Sequence, residues 1–170
     1  RLLRAPRGRA RQMNAGAAQA RGEVLLFLHA DTALPEGALA AIGEAIDGGA
    51  LWGRFDVSIA GASAMFPLIA ALMNRRSRWS GIATGDQAMF VRRDTFERVG
   101  GFPDQPLMED IELSLRLRRL ARPACLRPPV TTSGRRWERF GVWRTIWLMW
   151  RLRLLYWLGT PAERLAKAYR

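Results

Sequence analysis

Apolar residues along this chain change their spacing from segment to segment, and the changes mark out alternating strands and helices. Val24-Leu25-Leu26-Phe27-Leu28 is an unbroken apolar run behind Gly22-Glu23, which predicts a central strand covered on both faces. Between Pro35 and Asp47, Leu39, Ile42 and Ile46 recur at helical spacing, and Gly48-Gly49 supplies the stop. Leu51 to Ile59 reads as a strand, as does Gln87 to Val91, with a polar loop from Arg76 to Thr84 before the latter. Gln12 to Ala20 is helical, and Ala64 to Met73 is apolar enough for a buried helix. Gly100-Gly101-Phe102-Pro103-Asp104 is a turn, because paired glycines tolerate positive φ and proline ends a helix. Ile111, Leu115 and Leu117 among Arg116, Arg118 and Arg119 then predict an amphipathic helix from Ile111 to Leu120, with Glu109 and Asp110 in its first turn. No repeat, low-complexity segment or linker interrupts this α/β alternation.

The stretch from Phe140 to Leu158 departs from it. Trp143, Trp147, Trp150 and Trp157 crowd a helix that also carries Arg144, Arg151 and Arg153. Three arginines argue against a span of about 20 apolar residues. Tryptophan beside arginine suits a helix lying in the headgroup plane of a membrane; packing onto the sheet or self-association is the alternative.

Composition narrows the partners. At 170 residues and 49% hydrophobic, the chain can bury a substantial core. Its 27 basic against 15 acidic residues give a formal charge of +12, which favours anionic partners such as nucleotide diphosphates or membrane surfaces. Zinc-finger spacing, a recognition helix and an aromatic RNA-binding motif are all missing, which argues against nucleic acid. Lys167 is the only lysine, so much of the arginine excess reads as coding bias. Cys125 is the lone cysteine; it forms no internal disulfide, and with arginines breaking any early apolar run the expected location is cytoplasmic, with membrane association on that face as an option.

Two acidic signatures carry the candidate chemistry. Leu28-His29-Ala30-Asp31 ends a buried strand, where open α/β sheets present ligand-binding groups. A single carboxylate there suits Mg²⁺ or Mn²⁺, which leave coordination positions to substrate phosphates; capping the following helix is the plainer reading. Glu109-Asp110 opens a helix, where negative charge is stabilised in any case.

The order of Gly8-Arg9-Ala10-Arg11-Gln12-Met13-Asn14-Ala15-Gly16, His29-Ala30-Asp31, Gly85-Asp86-Gln87, Gly100-Gly101-Phe102 and Glu109-Asp110-Ile111-Glu112-Leu113 resembles the family 2 glycosyltransferases of the GT-A fold, a Rossmann-like sheet flanked by helices. Trp52-Gly53-Arg54-Phe55-Asp56, the extended Gly85-Asp86-Gln87 block and Thr132-Ser133-Gly134-Arg135-Arg136-Trp137-Glu138 are similar to the subgroup associated with arsenosugar biosynthesis. The resemblance implies inverting sugar transfer from a nucleotide-diphosphate donor to an acceptor hydroxyl, on a small molecule or a lipid. Asp110 would be the general base and Glu109 its neighbour. Asp31 would be the last acid of the family's Asp-x-Asp motif, holding the metal, and His29, in place of the first acid, would orient a sugar or nucleotide group. Arg11, Arg135 and Arg136 would meet the nucleotide, the latter two from a late loop closing over the site. Asp86 would bind a sugar hydroxyl, or else merely close its own turn, and Gly85 and Trp137 would lie on the acceptor side, as would Ala64 to Met73 if exposed.

The family's upstream strand, helix and strand have no counterpart in this sequence, so the resemblance implies an N-terminally incomplete catalytic domain over 1–137 and a helical extension over 138–170. Two other readings remain: a non-catalytic sugar-nucleotide or membrane-binding remnant, and a nucleotidyltransferase.

Overall fold

The computed structural model describes residues 2–169. Five strands, β1 (Val24–Phe27), β2 (Thr32–Ala33), β3 (Trp52–Ala60), β4 (Met89–Arg92) and β5 (Ala124–Ser133), form one curled sheet in the order β1-β4-β3-β5-β2. Eight helices accompany them: α1 (Arg9–Gln19), α2 (Ala38–Asp47), α3 (Phe66–Ser80), α4 (Arg93–Arg98), α5 (Glu109–Arg118), α6 (Arg135–Phe140), α7 (Val142–Trp157) and α8 (Ala162–Tyr169). This is the expected α/β class, a mixed sheet flanked by helices and consistent with a GT-A-like domain. The pairing is less Rossmann-like than expected: only β3 and β5 run parallel, and the other three pairs are antiparallel.

The apolar run at Val24 forms a strand but not a central one. β1 pairs only with β4 and is an edge among the described residues. Its faces are covered as expected: Leu25 and Phe27 meet one cluster with Trp52, Met89 and Phe96, while Val24 and Leu26 meet another with Phe55, Phe90 and Val130. Hydrophobicity reports coverage of faces; it carries no information about who pairs with the edges.

The centre of the sheet is β3, and its sequence explains why. Trp52, Gly53, Arg54 and Phe55 are all buried, and a Cβ on Gly53 would stand 2.4 Å from both the Ala124 carbonyl and the Phe90 ring, so glycine alone lets β4 and β5 close on it. Arg54 is fully buried and pairs with Asp56, which also pairs with Arg78 of α3. The ladder between β3 and β5 skips from Phe55↔Leu126 to Val57↔Val130. The bulge takes up Arg127-Pro128-Pro129, since prolines have no N–H for the ladder.

Two local expectations need correction. The segment from Arg76 to Ser80 belongs to α3, not to a loop; Asn74 clips that helix to the sheet by bonding both the N–H and the carbonyl of Val57, at 2.9 and 3.0 Å. The late segment from Ser133 to Trp137 is likewise no loop: Ser133 ends β5 and Arg135 begins α6. Leu107, Met108, Leu152 and Leu165 make a separate buried cluster that joins α7 and α8 to the start of α5.

Candidate active site

Three segments converge where β1 ends. The first is the turn carrying His29, Ala30 and Asp31 between β1 and β2. The second is a single 3-10 turn, Gly85–Gln87, ahead of β4, and the third is the first turn of α5 with Glu109 and Asp110. Asp110 joins the last two: its Oδ2 accepts the Gly85 N–H at 2.9 Å, and its Oδ1 accepts the Ile111 N–H at 2.8 Å. Ala88 (φ 46°) and Met108 (φ 65°) are the non-glycine residues with left-handed backbone among those described. Each adjoins one of these carboxylate-bearing segments, and such conformations cost about 1–2 kcal/mol. The surrounding packing holds both turns in place.

His29 locks the same junction from the other side. A Cβ on Gly85 would lie 2.3 Å from its ring atoms Cε1 and Nε2, so the imidazole sits directly on the glycine backbone. Its Nδ1 is 3.4 Å from Asp86 Oδ1, and the hydrogen bond with Asp86 raises its pKa, against the opposing effect of burial. Asp86 is thus engaged with His29 rather than closing its own turn.

Glu109 is 1% exposed and pairs with Arg9 Nε at 2.9 Å. Burial first, and then the neighbouring Asp110, push its pKa up, while Arg9 pulls it down. His29, Gly85, Glu109 and Asp110 line a pocket of about 10 Å³, room on the scale of one water. His29 also lines an adjoining cleft of about 500 Å³ with Arg9, Asp31 and Arg135. Asp31 is exposed there, and its backbone carbonyl accepts the Ser133 N–H at 3.2 Å, which ties the Asp31 turn to the end of β5.

No group of three or more His, Cys, Asp or Glu capable of holding a metal occurs among the described residues. The residues present fit a hard cation only through the exposed carboxylate of Asp31, with diphosphate oxygens and water completing its shell, while the guanidiniums of Arg9 and Arg135 suit the diphosphate and not the ion.

Not every expected residue reaches this place. Arg11 makes a bidentate pair with Asp104, at 2.7 and 2.9 Å, on the surface. Its neighbour Arg9, which the sequence did not single out, is the arginine of this helix that lines the cleft. Arg135 lines the cleft, but Arg136 turns away, stacking over Tyr169 with its Cζ 3.9 Å from the ring centroid and donating to the Tyr169 carbonyl at 3.1 Å. Trp137 packs beside Phe66 and Ile69 in a core cluster. Arg76 and Arg153, also not singled out, come within electrostatic reach of Asp110.

A family profile described as Glycosyl transferase family 2 matches residues 1–101, which takes in Arg9, His29, Asp31, Gly85 and Asp86 and stops short of Asp110. No curated protein matches the chain. With more than half of its 170 residues matched, over a mixed sheet that brings Arg9, His29 and Asp31 to one cleft and sets Gly85 and Asp86 against His29, the chain belongs to glycosyl transferase family 2 and is a glycosyltransferase domain for a nucleotide-sugar donor and an acceptor.

Proposed function

We propose that the chain transfers a glycosyl group with inversion from a nucleotide-diphosphate donor to an acceptor hydroxyl, with Asp110 as general base. The observation that carries this reading is the fixed carboxylate of Asp110, held by the Gly85 N–H beside His29, which itself borders the cleft of Arg9, Asp31 and Arg135. The acceptor oxygen forms its bond to the anomeric carbon as the bond from that carbon to the diphosphate oxygen breaks. The hydroxyl proton passes to Asp110, and the nucleoside diphosphate leaves. An aspartate is a weak base toward a free alcohol, but the proton becomes acidic as the new bond forms, so a positioned carboxylate suffices. Arg9 and Arg135 offer charge-assisted hydrogen bonds to the diphosphate. Asp31 would hold Mg²⁺ or Mn²⁺ with phosphate oxygens and water, and such an ion, when bound, neutralises the departing diphosphate. His29 and Asp86 face the sugar, and Glu109, spent on Arg9, aligns its neighbour.

Calorimetric titration with UDP, GDP and their sugar conjugates, with and without Mn²⁺, together with a transfer assay, tests this. Asp31→Ala is expected to lose the Mn²⁺-dependent part of donor binding. Asp110→Asn is expected to bind donor and turn over about 10²–10⁴-fold more slowly. Donor binding without turnover in the unmodified chain would favour the non-catalytic remnant, turnover indifferent to Asp110 would remove it as the base, and pyrophosphate release from a nucleoside triphosphate would favour a nucleotidyltransferase.

A peripheral membrane position is supported by α7. Trp143, Trp147, Trp150, Leu154 and Trp157 recur on one face of this helix, and all are more than half exposed, while no helix among the described residues is long and apolar enough to cross a membrane. The arsenosugar role has weaker support: Trp52 to Asp56, one of the three segments behind it, is taken up in the centre of the sheet and in the Arg54–Asp56 pair.

A further inference from the structure

A second groove, of about 950 Å³, lies between α3, α5, α7 and the turn into α8. Its size is that of a small-molecule site, and its walls combine two chemistries. One wall is apolar, with Ile111, Leu115, Leu154 and Trp157; into the same space come Arg76 of α3 and Arg153 of α7.

These two arginines are set apart by being drawn out of water without an acid to meet them: desolvation is the largest effect on each, and neither has a carboxylate within ion-pair distance among the described residues. Arg76 Nη2 is shut off from solvent with no hydrogen-bond partner among the described residues. Burial lowers the pKa of Arg76 to about 10 and depresses that of Arg153 as well, and Arg153 adds to the effect on Arg76 by repulsion. Asp110 favours both charges from a distance, but its oxygens are committed to the N–H groups of Gly85 and Ile111. Of the groove's own acids, Glu112 is held by Arg116 at 3.1 Å, and Glu163 stands in the first turn of α8. A guanidinium drawn out of water normally meets a counter-charge, and among the described residues none stands within ion-pair distance of Arg76 or Arg153.

We propose that this groove is the acceptor site and that it takes an amphiphile bearing an oxyanion, held by Arg76 and Arg153, with its apolar body along Leu154 and Trp157. The inference rests on the reading of Asp110 as the base, toward which the acceptor hydroxyl would point. Leu154 and Trp157 belong both to the groove and to the exposed stripe of α7, so an amphiphile held at a membrane surface can enter without crossing water.

Titration calorimetry of the full chain with octyl phosphate, octanoate, octanol and inorganic phosphate decides it. Octyl phosphate is expected to bind at least about tenfold more tightly than octanol or inorganic phosphate, since two charge-assisted contacts and an apolar wall act together. Octanoate tells whether a carboxylate serves as well as a phosphate. Arg76→Gln and Arg153→Gln should each weaken octyl phosphate by about tenfold and leave octanol alone, and Arg76→Lys should recover part of the loss. Equal affinity for octyl phosphate and octanol in the unmodified chain would overturn the proposal, whether or not the variants fold. So would folded glutamine variants that bind octyl phosphate unchanged. The base is tested separately: if Asp110→Asn turns over normally while octyl phosphate still selects the groove, the catalytic reading fails and the groove stands.

Discussion

At the residue scale, the site depends on a contact that allows only hydrogen. Gly85 has a φ that any residue adopts, yet its missing side chain leaves the space taken by the His29 ring. Gly85→Ala should therefore displace His29 or draw the Gly85 N–H away from Asp110, cutting turnover by at least about tenfold, because catalytic groups tolerate little misplacement. The chain should still fold, as circular dichroism and a transfer assay on the same sample would report. Glu109 gives a prediction in pH. Its pKa is raised above the ordinary 4.5, chiefly by burial, so the folded state binds its proton more tightly than the unfolded chain does. The corresponding stability is fully present below 4.5 and is lost as pH rises through the folded value. Thermal melts of the protein and of Glu109→Gln should show the former losing ground relative to the latter as pH climbs from 4.5; parallel curves would mean that Arg9 cancels the burial penalty.

At the scale of elements, α7 has two apolar faces and the fold uses one. Leu148, Leu152, Leu155 and Tyr156 pack with α8 and the start of α5, while Trp143, Trp147, Trp150 and Trp157 remain exposed. The sequence alternatives were a helix packed on the domain and a helix at a membrane; the structure has the first and leaves the tryptophan face available for the second. Arg151 lies 5.3 Å from the Trp147 ring, a cation beside an aromatic body as interfacial helices have them. Replacing Trp147 and Trp150 by serine should lower sedimentation with anionic phosphatidylserine vesicles by about tenfold or more, as each removes a large apolar side chain from the interface, and should leave the melting temperature near its original value. Unchanged sedimentation would assign the stripe to contact with another protein or a second copy.

At the scale of the whole molecule, the charge of +12 adds a long-range attraction that the tryptophans alone would not give. Binding to the same vesicles should weaken steeply between low salt and about 0.5 M, where screening shortens the reach of surface charge to a few ångströms. A salt-insensitive association would leave the arginines out of it. The charge is unevenly spent: Arg54 and Arg78 converge on Asp56 inside the fold, Arg11 and Arg92 make exposed surface pairs that water and salt screen, and Arg9, Arg135, Arg76 and Arg153 are gathered around the two cavities.

The sequence by itself determined the run of elements: α1, α2, β3, β4 and α5 fall where periodicity, glycine stops and turn residues place them, because those signals act over a few neighbouring residues. It also marked the acids at Asp31, Asp86, Glu109 and Asp110, since a strand end and a helix start are local features. Tertiary structure decided the rest. It made β1 an edge rather than a centre, because strand pairing is set by distant backbone and not by the hydrophobicity of the strand itself. It chose Arg9 over Arg11 and Arg135 over Arg136: adjacent or alternate positions on a helix point to different faces, and the partners that hold them, Glu109, Asp104 and Tyr169, come from remote parts of the chain. It packed Trp137 against a core cluster and brought Arg76 and Arg153 to one groove that no spacing in the sequence encodes, since they lie on α3 and α7, with β4, α4, α5, β5 and α6 between them in the chain.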